Sequence, residues 1–180
     1  QPLNISPMRF GPDGHMYFLV GGRNTDSRLY RIRYVGPPQK GAGKRLVANQ
    51  DLRDLRHSLE VFHGNPHAGN TAITRAWPHL SHPDRNIRYA ARLAIENQPV
   101  SLWQERVLRE EDQRALIHAS IALCRHGDPS LSHRILKKLN QIPFDSLAAE
   151  DQLALLRAYS LCFIRLGQPA AELINVVIGN

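Results

Sequence analysis

Five histidines lie within 26 positions of one another, and histidine is the side chain that most often binds metals or carries protons near neutral pH. They are His57, His63, His67, His79 and His82. His63 and His67 are four residues apart, which on one helix would place both on the same face, as a zinc pair requires. Residues 64–66, Gly-Asn-Pro, lie between them and break a helix. We therefore expect these histidines at helix ends and interfaces and assign no metal ligand.

Three arginines, Arg85, Arg88 and Arg92, follow one side of a predicted helix. Guanidinium groups bind carboxylates and phosphates through paired N–H donors, so these arginines are a candidate site for an anion or for an acidic protein partner. The simpler interpretation, which we favour, is a solvent-exposed face. Its arginines would then pair with Glu96 and with carboxylates of neighbouring repeats.

No residue pattern indicates a catalytic site. The G-x-S-x-G motif of serine hydrolases is absent. Gly43 and Lys44 lack the spacing of a phosphate-binding loop, and Arg45 stands where Ser or Thr would hold Mg²⁺. Cys124 and Cys162 both fall inside apolar helical patterns, where we expect small core residues rather than redox or metal groups. We assign no catalytic, cofactor-binding or metal-binding residue.

The net charge of +7 and the isoelectric point near 9.9 raise the question of nucleic-acid binding. The basic residues are spread along the chain, with one local run at 40–45, whereas nucleic-acid-binding proteins gather them into a stripe. This distribution argues against a nucleic-acid partner. No run of residues approaches the roughly 20 apolar positions needed to cross a bilayer, so we expect no membrane insertion.

The elements that would position these residues begin with β structure over residues 1–36. Residues 12–14, Pro-Asp-Gly, and the cluster at 24–27 predict turns, and 16–20 is a short apolar strand. The following stretch alternates in polarity, with arginines on one side and, on the other, Tyr30, Ile32 and Tyr34. This pattern predicts a β-hairpin with one buried and one exposed face.

Residues 37–50, rich in proline and glycine, predict a linker, and residues 51–180 predict a series of helices. The clearest helix follows Asp84, a capping residue. Its apolar positions recur with helical spacing, at Ile87, Ala90, Ala91, Ala94 and Ile95. We expect seven to nine helices, with Trp77 and Trp103 wedged between them.

An internal repeat appears when residues 120–129 are aligned with 160–169, an offset of 40 positions. Both segments end in Arg-x-Gly-x-Pro, where we expect glycine in the left-handed conformation and proline at the start of the next helix. An interval of this length is typical of HEAT and armadillo repeats. The predicted fold is therefore mostly α, an irregular HEAT-like α-solenoid preceded by a β-hairpin.

Two stretches resemble known families. Residues 10–18, Phe-Gly-Pro-Asp-Gly-His-Met-Tyr-Phe, followed by 21–23 and 27–36, resemble the last propeller blade of glucose/sorbosone dehydrogenase-like proteins. They are similar in particular to large bacterial envelope proteins of the membrane-bound dehydrogenase family, in which HEAT-like repeats follow the propeller. Residues 84–92 resemble the HEAT-like repeat core shared with phycobilisome-lyase-type repeats.

The resemblance implies a parent protein of the periplasm or cell envelope that oxidises a sugar or alcohol. Such a parent would use pyrroloquinoline quinone with calcium and pass electrons to haem c. The family's base and cofactor ligands lie in earlier blades, and neither Cys124 nor Cys162 begins a C-x-x-C-H haem motif, so no cofactor is expected in this chain.

Since the sequence opens on Gln1 without Met, we expect a fragment of a longer protein. The expected function is a non-catalytic scaffold that binds a protein partner or other domains of the same parent. The alternative is a working part of the quinone-dependent oxidoreductase itself.

Overall fold

The structure, a computed structural model, describes residues 5–22, 25–37 and 49–167. The chain divides into two compact units, residues 1–46 and 47–180. The division falls inside the predicted linker, of which residues 38–48 lie outside the described residues. The first unit is a small antiparallel sheet and the second is helical, so the chain is mostly α as predicted.

Three strands form the sheet, in the order β1, β2, β3. Their bounds are β1 (Ile5–Phe10), β2 (Met16–Gly22) and β3 (Thr25–Ile32). The predicted hairpin corresponds to β2 and β3, whose Phe18 and Tyr30 are paired and stack with ring centroids 5.2 Å apart. Between β1 and β2, Asp13 accepts hydrogen bonds from the backbone N–H of His15 and from the hydroxyl of Tyr17, as a turn aspartate does.

Two expectations about this unit were wrong. The turn predicted at 24–27 is too long, because Thr25, Asp26 and Ser27 belong to β3. The predicted buried face is exposed: Tyr30, Ile32 and Tyr34 retain 38, 48 and 68% of their accessible surface. The physical reason is that a three-stranded sheet buries side chains only where neighbouring strands touch, and this unit has no second layer among its described residues.

Seven α-helices occur in the described part of the second unit, and short 3₁₀ turns separate several of them. The helices are α1 (Gln50–Glu60), α2 (Gly69–Ala76), α3 (Arg85–Glu96), α4 (Gln104–Arg109), α5 (Gln113–His126), α6 (Ser132–Leu139) and α7 (Ala149–Leu166). The number in the described residues lies within the expected seven to nine, and α3 begins directly after Asp84 as predicted.

One hydrophobic core runs through the helical unit. Helix α3 packs against α1, α2 and α5, and α5 packs in turn against α7. The predicted apolar positions Ala90, Ala91 and Ala94 on α3 are buried, and their small side chains allow the neighbouring helices to approach closely. Trp77 and Trp103 are buried between helices, which confirms the expected wedge role.

The two glycines that end α5 and α7 behave differently, although the repeat predicted the same left-handed cap for both. Gly167 has φ +89°. Gly127 has φ −77°, so the prediction is wrong there. Glycine is needed at 127 for another reason: a Cβ at this position would lie 2.6 Å from the carbonyl oxygen of Leu123.

Candidate anion-binding site

Helix α3 begins where its cap predicts. The carboxylate of Asp84 accepts hydrogen bonds from the backbone N–H groups of Asn86 at 2.7 Å and Ile87 at 3.2 Å. These bonds hold the pKa of Asp84 below its usual value, with the bond from Asn86 as the main cause. The cap fixes the helical phase of α3, so it also fixes the direction in which the three candidate arginines point.

The three arginines do not form the solvent-exposed face that we expected. Arg85 is exposed, but the side chains of Arg88 and Arg92 keep only 3% and 9% of their accessible surface. The expected pairing with carboxylates is confirmed, and the expected solvation is wrong. The cause is packing on several sides of α3, with α5 covering the side that the sequence pattern assigns to solvent.

Arg88 ties α3 to two other segments. Its Nη1 donates to the carbonyl oxygens of His82 at 2.7 Å and Pro83 at 2.8 Å, and its Nη2 donates to Glu150 at the start of α7. The carboxylate side chain of Glu150 is 58% exposed, whereas the guanidinium is buried. Arg88 is therefore fixed by backbone carbonyl groups in the protein interior, while the carboxylate that balances its charge lies at the surface.

Arg92 shares its carboxylate with two other basic groups. Glu96 lies 3.0 Å from Arg92 Nε, 3.2 Å from Arg125 Nε and 3.4 Å from His126 Nε2. The Arg92 contact lacks hydrogen-bond geometry, because both atoms remain without a hydrogen-bond partner. Burial lowers the pKa of Arg92, and the guanidinium also lies 5.3 Å from the ring centre of Tyr89.

A cavity of about 390 Å³ opens between α3, α5 and α7. Its lining consists of the three arginines with Asn86 and Tyr89 of α3, His118 of α5 and Glu150 of α7. The pKa of His118 is lowered to about 4, first by burial and then by the charges of Arg88 and Arg92. The imidazole is therefore neutral at physiological pH.

Three nitrogens of the residues that line this cavity are buried without a hydrogen-bond partner among the described residues. They are Arg88 Nε, Arg92 Nε and His118 Nε2. An unsatisfied buried polar atom costs about 1–3 kcal/mol. This cost applies to Arg88 Nε and His118 Nε2, whereas Arg92 Nε still has its ion pair with Glu96. The arrangement can bind a negatively charged group, as the arginines alone suggested in the sequence, and His118 is an addition that the sequence did not indicate.

Sequence reasoning also missed an ion pair between α5 and α7 that is made by three hydrogen bonds. Arg114 of α5 donates from Nε to both carboxylate oxygens of Asp151, at 2.8 and 3.0 Å, and from Nη2 at 2.6 Å. The hydrogen bonds that Arg114 donates to Asp151 are the main reason why the pKa of Arg114 is raised. The pair links the start of α5 to the start of α7, and its members are 37 positions apart, so no local pattern could reveal it.

The five clustered histidines occupy helix ends and interfaces. His63 Nε2 lies 2.8 Å from the carbonyl oxygen of Ala90, and His82 Nδ1 accepts from the backbone N–H of Asp84. The predicted break is confirmed, since α1 ends at Glu60 and α2 starts at Gly69. In the described ranges, no three His, Cys, Asp or Glu side chains are grouped as metal ligands.

The two cysteines are free and buried, as predicted for small core residues. Cys124 Sγ lies 3.8 Å from the carbonyl oxygen of Ala158, so this thiol faces α7. Cys162 Sγ lies 3.6 Å from the hydroxyl of Ser132.

The positive charge is less evenly distributed than the sequence suggested. Residues 1–46 contain eight lysines and arginines and two carboxylates, so most of the net charge of +7 belongs to the first unit. The arginines of the helical unit are largely matched by carboxylates.

Comparison with known proteins gave no match to any protein-family model, curated protein or solved structure. The resemblance to propeller dehydrogenases and HEAT-like repeats therefore stays a prediction. Within residues 5–22, 25–37 and 49–167, no helix combines the length and apolar composition needed to span a bilayer.

Proposed function

We propose that the helical unit is a non-catalytic, HEAT-like interaction scaffold, and that the outer face of α7 is its docking surface for a protein partner or for another domain of the parent chain. We define the outer face of α7 by the residues Leu153, Leu156, Arg157, Ser160 and Ile164, all exposed and all on one side of the helix.

The repeat supports this proposal, because the offset of 40 positions makes α7 the counterpart of α5. Both helices end one residue before a glycine. The positions of α5 whose side chains are buried in the hydrophobic core have counterparts in α7 that are also buried. These buried pairs are Ala115 and Leu155, Ala119 and Tyr159, and Ala122 and Cys162.

The main support for the proposal is that this agreement in burial between α5 and α7 fails on one side of the two helices only. Cys124 is fully buried and faces α7, whereas its counterpart Ile164 is 79% exposed. Leu116 is buried, and its counterpart Leu156 is 48% exposed. Among the residues that the structure describes, nothing therefore packs on the side of α7 that corresponds to the α7-facing side of α5.

An amphipathic helix is the partner that this face fits. The face of α7 that meets α5 contains Leu155, Ala158 and Cys162, with Asp151 at its start. A partner helix with similar small and apolar residues would pack on α7 as α7 packs on α5. Burial of apolar surface contributes about 25 cal/mol per Å², so covering Leu156 and Ile164 would stabilise the complex.

A synthetic peptide with the sequence of residues 149–167 tests this proposal, because it contains the helix face that packs against α5 in the structure. We expect the full chain to bind the fluorescently labelled peptide in an anisotropy titration. Ile164→Glu and Leu156→Glu should each weaken binding by at least about tenfold, because a carboxylate would be buried without a partner.

The matched control is Val61→Glu, which introduces the same charge at an exposed apolar position next to α1. This variant should bind the peptide like the original chain. Failure of the chain to bind, or equal binding by the Ile164→Glu variant, would contradict a docking role for the outer face of α7.

A second candidate function rests on the sheet. One side of it is apolar across all three strands, because Phe10 pairs with Met16 and Met16 with Ile32. Phe10 is 77% exposed. A sheet with such a face is stable when another sheet packs on it, as neighbouring blades do in a propeller. We propose on this basis that the sheet belongs to a blade of a quinone-dependent sugar or alcohol oxidoreductase.

The coding sequence around this chain tests the second candidate. Upstream blades together with a downstream C-x-x-C-H motif would support an oxidoreductase parent. A start codon and a stop codon directly bracketing the chain would contradict it.

A further inference from the structure

The cavity between α3, α5 and α7 carries more positive than negative charge. Arg85, Arg88 and Arg92 line it together with one carboxylate, Glu150. The other nearby carboxylate, Glu96, is shared between Arg92 and Arg125. Four guanidinium groups therefore face two carboxylates, which leaves a surplus of two positive charges. The two buried guanidiniums, Arg88 and Arg92, each have a carboxylate partner, so the surplus charge belongs to Arg85 and Arg125 at the surface.

The donors come from more than one direction. Arg88 and Arg92 are one turn apart on α3, His118 approaches from α5, and Arg85 is exposed next to them. A planar carboxylate has two oxygens and one negative charge. A phosphate group has a tetrahedral set of oxygens and carries about −1.5 to −2 at neutral pH, which matches both the surplus charge and the spread of the donors.

We propose that this cavity binds a phosphate group, either as inorganic phosphate or as a phosphomonoester. The phosphate accepts hydrogen bonds from Arg88, Arg92 and His118 once these side chains turn toward it, and Arg85 closes the contact from the surface. Neutral His118 donates from Nε2 in the tautomer that carries the proton there. The inference is independent of the proposed docking role of α7, because it uses different residues.

Glu150 is the group that opposes this binding. Its carboxylate already contacts Arg88 and would lie beside the incoming phosphate. Because Glu150 is 58% exposed, its carboxylate can move into water, and a bound phosphate would replace it as the charge partner of buried Arg88. Removing its charge should therefore strengthen phosphate binding rather than damage the site.

The test is calorimetric titration of the full chain with inorganic phosphate, O-phosphoserine and acetate at constant ionic strength. We expect binding of phosphate or O-phosphoserine, and the tighter of the two identifies the free anion or the monoester as the preferred form. Acetate should bind at least about tenfold more weakly, since it has a single charge and two oxygens.

Variants at exposed positions keep the test independent of folding. Arg85→Gln should weaken phosphate binding by about tenfold, and Glu150→Gln should tighten it by about threefold. The matched control Arg75→Gln removes an exposed arginine from α2, outside the cavity lining, and should have no effect.

The imidazole of His118 gives a local readout by NMR. Bound phosphate places negative charge beside the ring, so the pKa of His118 should rise from about 4. Absence of binding, equal affinity for acetate, tighter binding by a double-stranded DNA than by phosphate, or an unchanged His118 titration in saturating phosphate would each overturn the proposal.

Discussion

Protonation of His118 should destabilise the helical unit. Burial, reinforced by Arg88 and Arg92, lowers the pKa of His118 to about 4, whereas an unfolded histidine titrates near 6.5. Asp151 partly opposes this shift and Arg114 adds to it. Because the folded pKa is the lower one, the unfolded state binds the proton first. The stabilisation is complete above about pH 6.5 and is lost as the pH falls toward about 4.

The size of the effect follows from the two pKa values. One pKa unit corresponds to 1.36 kcal/mol, so the full loss below about pH 4 approaches about 3 kcal/mol. Between about pH 7.5 and about pH 5, the linkage relation gives a loss of about 2 kcal/mol in the free energy of unfolding. Since His118 is not completely buried, solvent screening makes these values upper limits.

Urea unfolding followed by circular dichroism at these two pH values measures the loss. His118→Gln should reduce the difference between the two pH values by about 2 kcal/mol relative to the original chain. His133→Gln, which removes an exposed histidine from α6, is the control and should leave the difference unchanged. If His118→Gln shows the same pH dependence as the original chain, the histidine is not held neutral by its surroundings and the reasoning is wrong.

Three further predictions concern the caps, a close backbone approach and the absence of catalysis. Asp84→Ala should lower the free energy of unfolding by about 1 kcal/mol through loss of the α3 cap, while Asp84→Asn should retain most of the capping stabilisation. Equal losses for the two variants in urea unfolding would refute the cap. Gly127→Ala should cost about 1–3 kcal/mol because its Cβ would meet the Leu123 carbonyl, and a neutral thermal-unfolding result would contradict that contact. The isolated chain should not oxidise sugars with added pyrroloquinoline quinone, calcium and an artificial electron acceptor, and sustained turnover would contradict the proposal of a non-catalytic scaffold.

Local sequence signals predicted most of the elements. Asp84 and the apolar stripe of α3 mark a helix because capping and 3.6-residue periodicity depend on neighbouring residues alone. The same holds for the break at 64–66 and for the strands β2 and β3. Strand β1 was missed because Pro7 interrupts its pattern, and proline is tolerated in an edge strand such as this one.

The candidate site could be predicted only in part. The arginines of α3 were visible in the sequence, but their burial was not, because it depends on the packing of α5 against α3 and on the contact of Arg88 with Glu150 of α7. Arg88 and Glu150 are 62 positions apart, and His118 has no motif of its own. Such contacts depend on how the helices stack, which the periodicity of a single helix does not specify.

The most direct test of the scaffold proposal is to locate the bound peptide of residues 149–167 by NMR chemical-shift mapping on the isotopically labelled chain. Our account predicts that the largest backbone shifts lie on the outer face of α7, at Leu153, Leu156, Arg157, Ser160 and Ile164. Shifts confined to other helices or to the sheet, with this face unperturbed at saturation, would contradict it.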